Sequence, residues 1–190
     1  MDGIPEHPEL RAFLASLTPG ETLSGTVAAI EPFGVFVALD EGPAHPLFPG
    51  VGFLTYPELS WQRFDKASDV VQVGQRVRCE FLQPDTWNLE ARLSLRAMQP
   101  DPFQEFADSV TVGQVLRGKV TKLVPFGAFV RLSAGIEGLV HRQDLASPPP
   151  KAVSDVVRTG ADITVVVTEI NRTRRWLLLA RQQEPSDDSR

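Results

Sequence analysis

Over most of the chain apolar residues fall at every second position, in short runs closed by glycine, proline or aspartate. This pattern predicts strands rather than helices. In the first half the strand candidates centre on Val27 and on residues 33–39, 52–54, 77–82 and 90–95. The second half holds five more, at 115–123, 126–132, 138–141, 163–170 and 176–181. Helical spacing is confined to short pieces. Residues 8–17 place Leu10, Phe13, Leu14 and Leu17 on one stripe, and that helix is expected to pack on the first strand group. Residues 57–73 and 152–157 form helical or turn segments between the third and fourth strands of each half. In Asp101-Pro-Phe-Gln-Glu-Phe-Ala-Asp108, Asp101 suits the N-cap and Pro102 the first helical position.

The two halves are copies. At an offset of 93, residues 20–39 return as residues 113–132 with ten of twenty positions identical, Pro32/Pro125, Phe33/Phe126, Gly34/Gly127 and Phe36/Phe129 among them. Further along the offset falls to 86, which aligns Gly52 with Gly138, Gly74 with Gly160 and Leu93 with Leu179. A self-match of this length means one module used twice. The first copy therefore carries seven extra residues within 40–51, rich in proline and glycine, which predict a structured surface loop.

Five short strands with a small helix between the third and fourth describe an OB-type barrel. The expected fold is all-β: two tandem five-stranded barrels at 19–97 and 111–183, joined by a helical linker at 98–110. A helical extension at 1–18 precedes them, and a polar tail at 184–190 is expected to be disordered. The linker is expected to be a stiff spacer. In a regular strand Phe126 and Phe129 would face opposite sides, so a bulge at Gly127 is expected to bring both rings to one face. Paired aromatics on an open barrel form a stacking platform for unpaired bases.

Charge divides the copies. The chain carries a net −5, but residues 1–110 hold seven Lys+Arg against sixteen Asp+Glu, whereas residues 111–190 hold twelve against eight. A basic half joined to an acidic half suggests that one module faces polyanion. Cys79, the only cysteine, alternates with Val77 and Phe81 and is read as a buried strand residue. Neither a cationic leader nor a membrane-length apolar run is evident, so a cytoplasmic protein without membrane contact is expected.

Three segments of the second copy carry a family resemblance: Gly113-Gln-Val-Leu-Arg-Gly-Lys-Val-Thr121, Pro125-Phe-Gly-Ala-Phe-Val-Arg-Leu132 and Gly135-Ile-Glu-Gly-Leu-Val-His141. Together they resemble the S1 RNA-binding domain. Glu58-Leu-Ser-Trp-Gln-Arg63, Ser68-Asp-Val-Val-Gln-Val-Gly74 and the linker are similar to the tandem repeats of bacterial ribosomal protein S1. The resemblance implies RNA contact by Phe126, Phe129, His141, Asn171 and Arg175, with Asn171 standing where the family has aspartate. Arg172, Arg174 and Arg175 crowd one hairpin, and either Arg175 or Trp176 occupies the family's arginine position. Lys119, Lys122 and Arg131, with Arg174, add charge suited to phosphates.

The first copy keeps Phe33 and Phe36 as a weaker set. Thr55 replaces the histidine, Leu89 and Glu90 replace the basic positions, and Ser24, Thr26, Ala29 and Ala38 stand where the second copy has Arg117, Lys119, Lys122 and Arg131. Catalytic, cofactor and metal-ligand motifs are not found. The expected function is single-stranded RNA binding (mRNA or rRNA) through the second barrel, in translation or RNA metabolism, by a monomer associated with the ribosome or another RNA-associated protein. The rival expectation is an adaptor that docks on such a protein through its acidic first barrel.

Overall fold

The computed structural model describes residues 7–183, and the chain divides between Asp101 and Pro102 into two compact units. The expected disordered tail at 184–190 lies outside the described residues.

The first unit opens with helix α1 (Pro8–Ser16), whose Leu10 and Leu14 are buried against the barrel core. Phe13 and Leu17 pack on the same core, so the whole predicted stripe is used. Strands β1 (Thr22–Glu31), β2 (Gly34–Leu39), β3 (Gly52–Leu54), β4 (Arg76–Asp85) and β5 (Glu90–Ser94) close in the order β1-β2-β3-β5-β4. Only β3 and β5 run parallel. Between β3 and β4 the predicted helical segment is two single 3-10 turns, Tyr56–Glu58 and Ala67–Asp69. Val27, Val35, Val37, Leu54, Phe81 and Leu93 point inward and fill the barrel. Cys79 is buried among them, and burial pushes its thiol up to about 12, because a thiolate there would lose its hydration.

The second unit repeats the plan with β6 (Val115–Val124), β7 (Gly127–Ser133), β8 (Ile136–His141), β9 (Asp162–Asn171) and β10 (Trp176–Arg181), closed in the equivalent order with β8 and β10 parallel. Helix α2 (Pro102–Ser109) belongs to this unit. Phe103 and Ala107, one turn apart on the helix, are buried in the second core beside Val120 and Val130. The expected spacer is thus a structural element of the second barrel, because its apolar stripe finds that core.

The first hairpin of each barrel differs from expectation in one respect. Strand β7 starts at Gly127, and Pro125 and Phe126 are the turn residues joining it to β6. The bulge is in the partner strand, between Val120 and Lys122, and recurs in β1 between Val27 and Ala29. A turn residue escapes the in-and-out alternation of a strand, so Phe126 needs no bulge at Gly127 to project outward. In the first barrel the equivalent rings, Phe33 and Phe36, stand 6.0 Å apart edge to face.

Gly127 has a steric task instead. A Cβ there would run into the backbone carbonyl of Val140 on β8. Gly127→Ala is therefore expected to destabilise the second barrel by about 1–3 kcal/mol, the usual range for forced overpacking, as read by denaturant unfolding.

Candidate nucleic-acid interface

Strand register builds one outward face on each barrel. In the second, Phe129 on β7 pairs with Leu139 on β8, and Leu139 pairs with Leu178 on β10. Their neighbours Ala128, Val130, Gly138, Val140, Leu177 and Leu179 are buried inward, so the three form an outward apolar row across three strands. This row floors a surface cleft of about 490 Å³, with His141 towards one end and Trp176 and Glu137 towards the other. Phe129 is half-buried in the cleft, whereas Phe126 in the adjacent turn is 53% exposed.

The basic residues fall on the same face. Lys122 stands opposite Phe129 and Lys119 opposite Arg131 in the β6–β7 ladder, and opposite residues in an antiparallel pair share a side. Among the described residues Lys119, Lys122 and Arg174 make no ion pair. Arg131 has only a loose contact with Glu137, at 3.9 Å. Cations left unpaired beside an exposed aromatic are free to meet phosphate.

The hairpin arginines separate into two kinds. Arg172 is bound to helix α2, at 2.8 Å from Asp108 and 3.0 Å from Gln104. Arg175 takes a left-handed backbone (φ 58°) at the turn, and its guanidinium lies 5.4 Å from the Phe103 ring centroid of the same helix. Trp176 is the residue that enters the strand, and it lines the cleft together with Arg175. Asn171 accepts a hydrogen bond from the Arg174 amide at 2.8 Å, so it shapes the hairpin as an aspartate would, without the charge.

The same row in the first barrel reads Phe36, Phe53 and Arg92. Here the surface is occupied from within the chain. The seven-residue insert folds back, and Phe48 lies over Phe36 with ring centroids 5.3 Å apart. Phe53, its partner on β3, also packs on Phe36 at 5.1 Å, leaving Phe36 only 3% exposed. His45 fastens the loop: its Nδ1 accepts from the amides of Leu47 (3.0 Å) and Phe48 (2.9 Å). With Nδ1 an acceptor, Nε2 carries the hydrogen and donates to the Asn88 carbonyl at 2.8 Å. The ring of His45 also stacks on Phe48 at 4.5 Å.

Three arginines of this barrel are tied up as well. The Arg92 guanidinium sits 4.8 Å from the Phe53 centroid, 2.7 Å from Asp85 and 3.5 Å from Glu90. Arg76 is chelated by Asp40, and Arg96 pairs with Glu58 while lying over Trp61. The roles of Arg92, Phe53, Phe48 and His45 escaped the sequence reading. The offset of 86 would have flagged Phe53 and Arg92 opposite Leu139 and Leu178, but the landing site of the insert has no local signature.

No group of three or more His, Cys, Asp or Glu among the described residues is arranged to hold a metal ion, and no described helix is long and apolar enough to cross a membrane. Fold and face together define a tandem OB-barrel protein. The chain belongs to the S1 RNA binding domain family, whose model matches residues 16–96 and 109–181. It is similar to the small ribosomal subunit protein bS1 of Mycobacterium tuberculosis (strain ATCC 25618 / H37Rv), 43% identical over 176 residues, which cover 92% of this chain and 35% of that protein. The bS1 homolog of Bacillus subtilis (strain 168) is 32% identical over 171 residues, covering 90% of this chain and 42% of that one. The chain thus spans about a third to two fifths of the length of these curated relatives. The solution structure of GSP13 from Bacillus subtilis aligns with a TM-score of 0.38 at 27% identity, over 43% of this chain and 65% of that one.

The acids around Arg92 make the first barrel sensitive to low pH. Burial opposes ionisation of Asp85, but the Arg92 guanidinium and the amides of Asn88 and Trp87 outweigh it and hold the carboxyl down at about 2. Its stabilisation is complete above the unfolded value of about 4 and is lost as pH falls through about 2. Glu90 works in the opposite sense, because burial raises its carboxyl despite Arg92 and its protonation relieves a cost. Melting followed by Trp61 and Trp87 fluorescence is expected to fall steeply between about pH 4 and 2. Asp85→Asn should start lower at neutral pH and flatten that window.

Proposed function

We propose that the chain binds single-stranded RNA through its second barrel, in translation or RNA metabolism. One observation carries this reading: an open cleft around Phe129, with exposed Phe126 beside it, bordered by Lys119 and Lys122, which make no ion pair among the described residues. Bases stack on Phe126 and Phe129 while Lys119, Lys122, Arg131 and Arg174 screen the phosphates. Stacking and unspecific charge predict modest affinity with little sequence preference. His141, at the cleft wall, offers a ring nitrogen to a base or a sugar hydroxyl. Arg175 acts through helix α2, holding the hairpin in place.

Likeness to bS1 supports an RNA encountered at the ribosome, mRNA or rRNA, and the cytoplasm as the compartment; the proposed working form is a monomer. The first barrel supports rather than binds, because Phe48 occupies the space over Phe36 where a base would stack. A second reading has its own observation: Leu47 on the insert is 74% exposed and Trp87 on the neighbouring hairpin 80% exposed, on an acidic barrel. These suit docking on a basic, RNA-associated protein.

Fluorescence anisotropy of a labelled single-stranded RNA of about ten nucleotides tests the first reading. Removal of either ring, Phe126→Ala or Phe129→Ala, is expected to weaken binding roughly 5- to 150-fold, the worth of one stacked base. Phe33→Ala should be silent. With four cations on phosphate, log affinity should fall against log salt with a slope of about −3. An intact chain that does not bind at low salt would overturn the proposal.

A further inference from the structure

The cleft contains a half-buried tryptophan that none of the roles above uses. Trp176 begins β10, the strand that closes the barrel against β8, and it lines the cleft with Phe129, Leu139, His141 and Leu178. It lies two residues before Leu178 on the same strand and so shares its outward side. Along the parallel β8–β10 pair, Leu178 is level with Leu139, which places Trp176 at the level of Glu137, at the Arg131 end of the cleft. His141 is two positions beyond Leu139 in the other direction. The apolar row therefore has an imidazole at one end and an indole at the other.

Comparison of the copies shows that this position is not a packing requirement of the barrel. At the offset of 86 the first barrel has Glu90 there, only 4% exposed and paired with Arg92, and that barrel closes in the same order. The fold accepts a carboxylate at this place. A large aromatic on an outward strand position, lining a cleft, has the character of a ligand contact.

We propose that Trp176 is a third base-stacking residue, which lengthens the RNA site across β7, β8 and β10 so that a second nucleotide is held beyond the one on Phe129. The inference rests on the RNA-binding reading above and adds the direction of the strand: from Phe126 at the hairpin turn, past Phe129 and Leu139, to the indole. Arg131, opposite Glu137 on the neighbouring strand, is placed to meet the phosphate between those two nucleotides. Because indole is the largest stacking surface available to a side chain, this end of the cleft contributes to affinity on the scale of a whole base.

The test uses the full chain and the same single-stranded RNA. Trp176→Ala should weaken binding roughly 5- to 150-fold, and Trp176→Phe should retain most of the affinity because a ring remains. Trp176 is the second unit's one tryptophan. RNA should therefore quench intrinsic fluorescence in the wild type, and Trp176→Phe should abolish that quenching while Trp61 and Trp87 remain. The Phe variant keeps the strand packed, so the optical readout stands even where the Ala variant loosens the barrel. Wild-type binding that collapses in Phe129→Ala, yet is unchanged in Trp176→Ala and unquenched in the wild type, would overturn this proposal alone. Failure of the wild type to bind at all would overturn the RNA reading and this one with it.

Discussion

Closure of each barrel depends on a parallel contact between the third and fifth strands, and a glycine facing a leucine makes room for it. A Cβ at Gly138 would meet Leu179, and one at Gly52 would meet Leu93, the equivalent residue. With those side chains interlocked, β8 lies against β10 in one register, and β3 against β5 in the same one. Everything on the outer face follows from that register. It sets Leu178 beside Leu139 and Arg92 beside Phe53, and a slip of one residue would turn the whole outward row into the core.

One backbone thus carries two surfaces of opposite kind. On the second barrel the row is apolar and open, and among the described residues Lys119 and Lys122 beside it make no ion pair. On the first barrel the equivalent row is consumed inside the chain, Phe36 by Phe48 and Phe53 and Arg92 by Asp85 and Glu90, and of the aromatic pair only Phe33 stays exposed. An exposed aromatic pair attracts any apolar partner, and the insert supplies one in cis at a fixed distance. The acidic balance of the first half is the electrostatic side of the same change, since a covered platform gains nothing from cations around it.

Helix α2 shows how a connecting segment becomes part of a barrel. Phe103 and Ala107 bury one face, and from the β9–β10 hairpin Arg172 reaches Asp108 and Arg175 reaches the ring of Phe103. The hairpin is thereby braced at two points, which steadies the strand entrance where Trp176 stands. Arg172 is withdrawn from the outer face in the process, whereas Arg175 still lines the cleft.

The ten strands, the duplicated plan, the stripe of α1 and the aromatic pair were legible in the chain because period-two alternation and self-similarity are local properties. Charge asymmetry was legible for the same reason: it needs only counting. The placement of Arg175 and Trp176 was not, since only the folded chain makes Arg175 the last turn residue, with a left-handed backbone, and Trp176 the first of the strand. Nor was the destination of the insert, whose Phe48 looks like any loop aromatic until it lies on Phe36. The primary structure by itself therefore determined which modules form and which side of each strand is apolar. The folded chain alone assigned which outward residues become neighbours, because that depends on hydrogen-bond register between strands far apart in sequence and on where a loop finds apolar surface to cover.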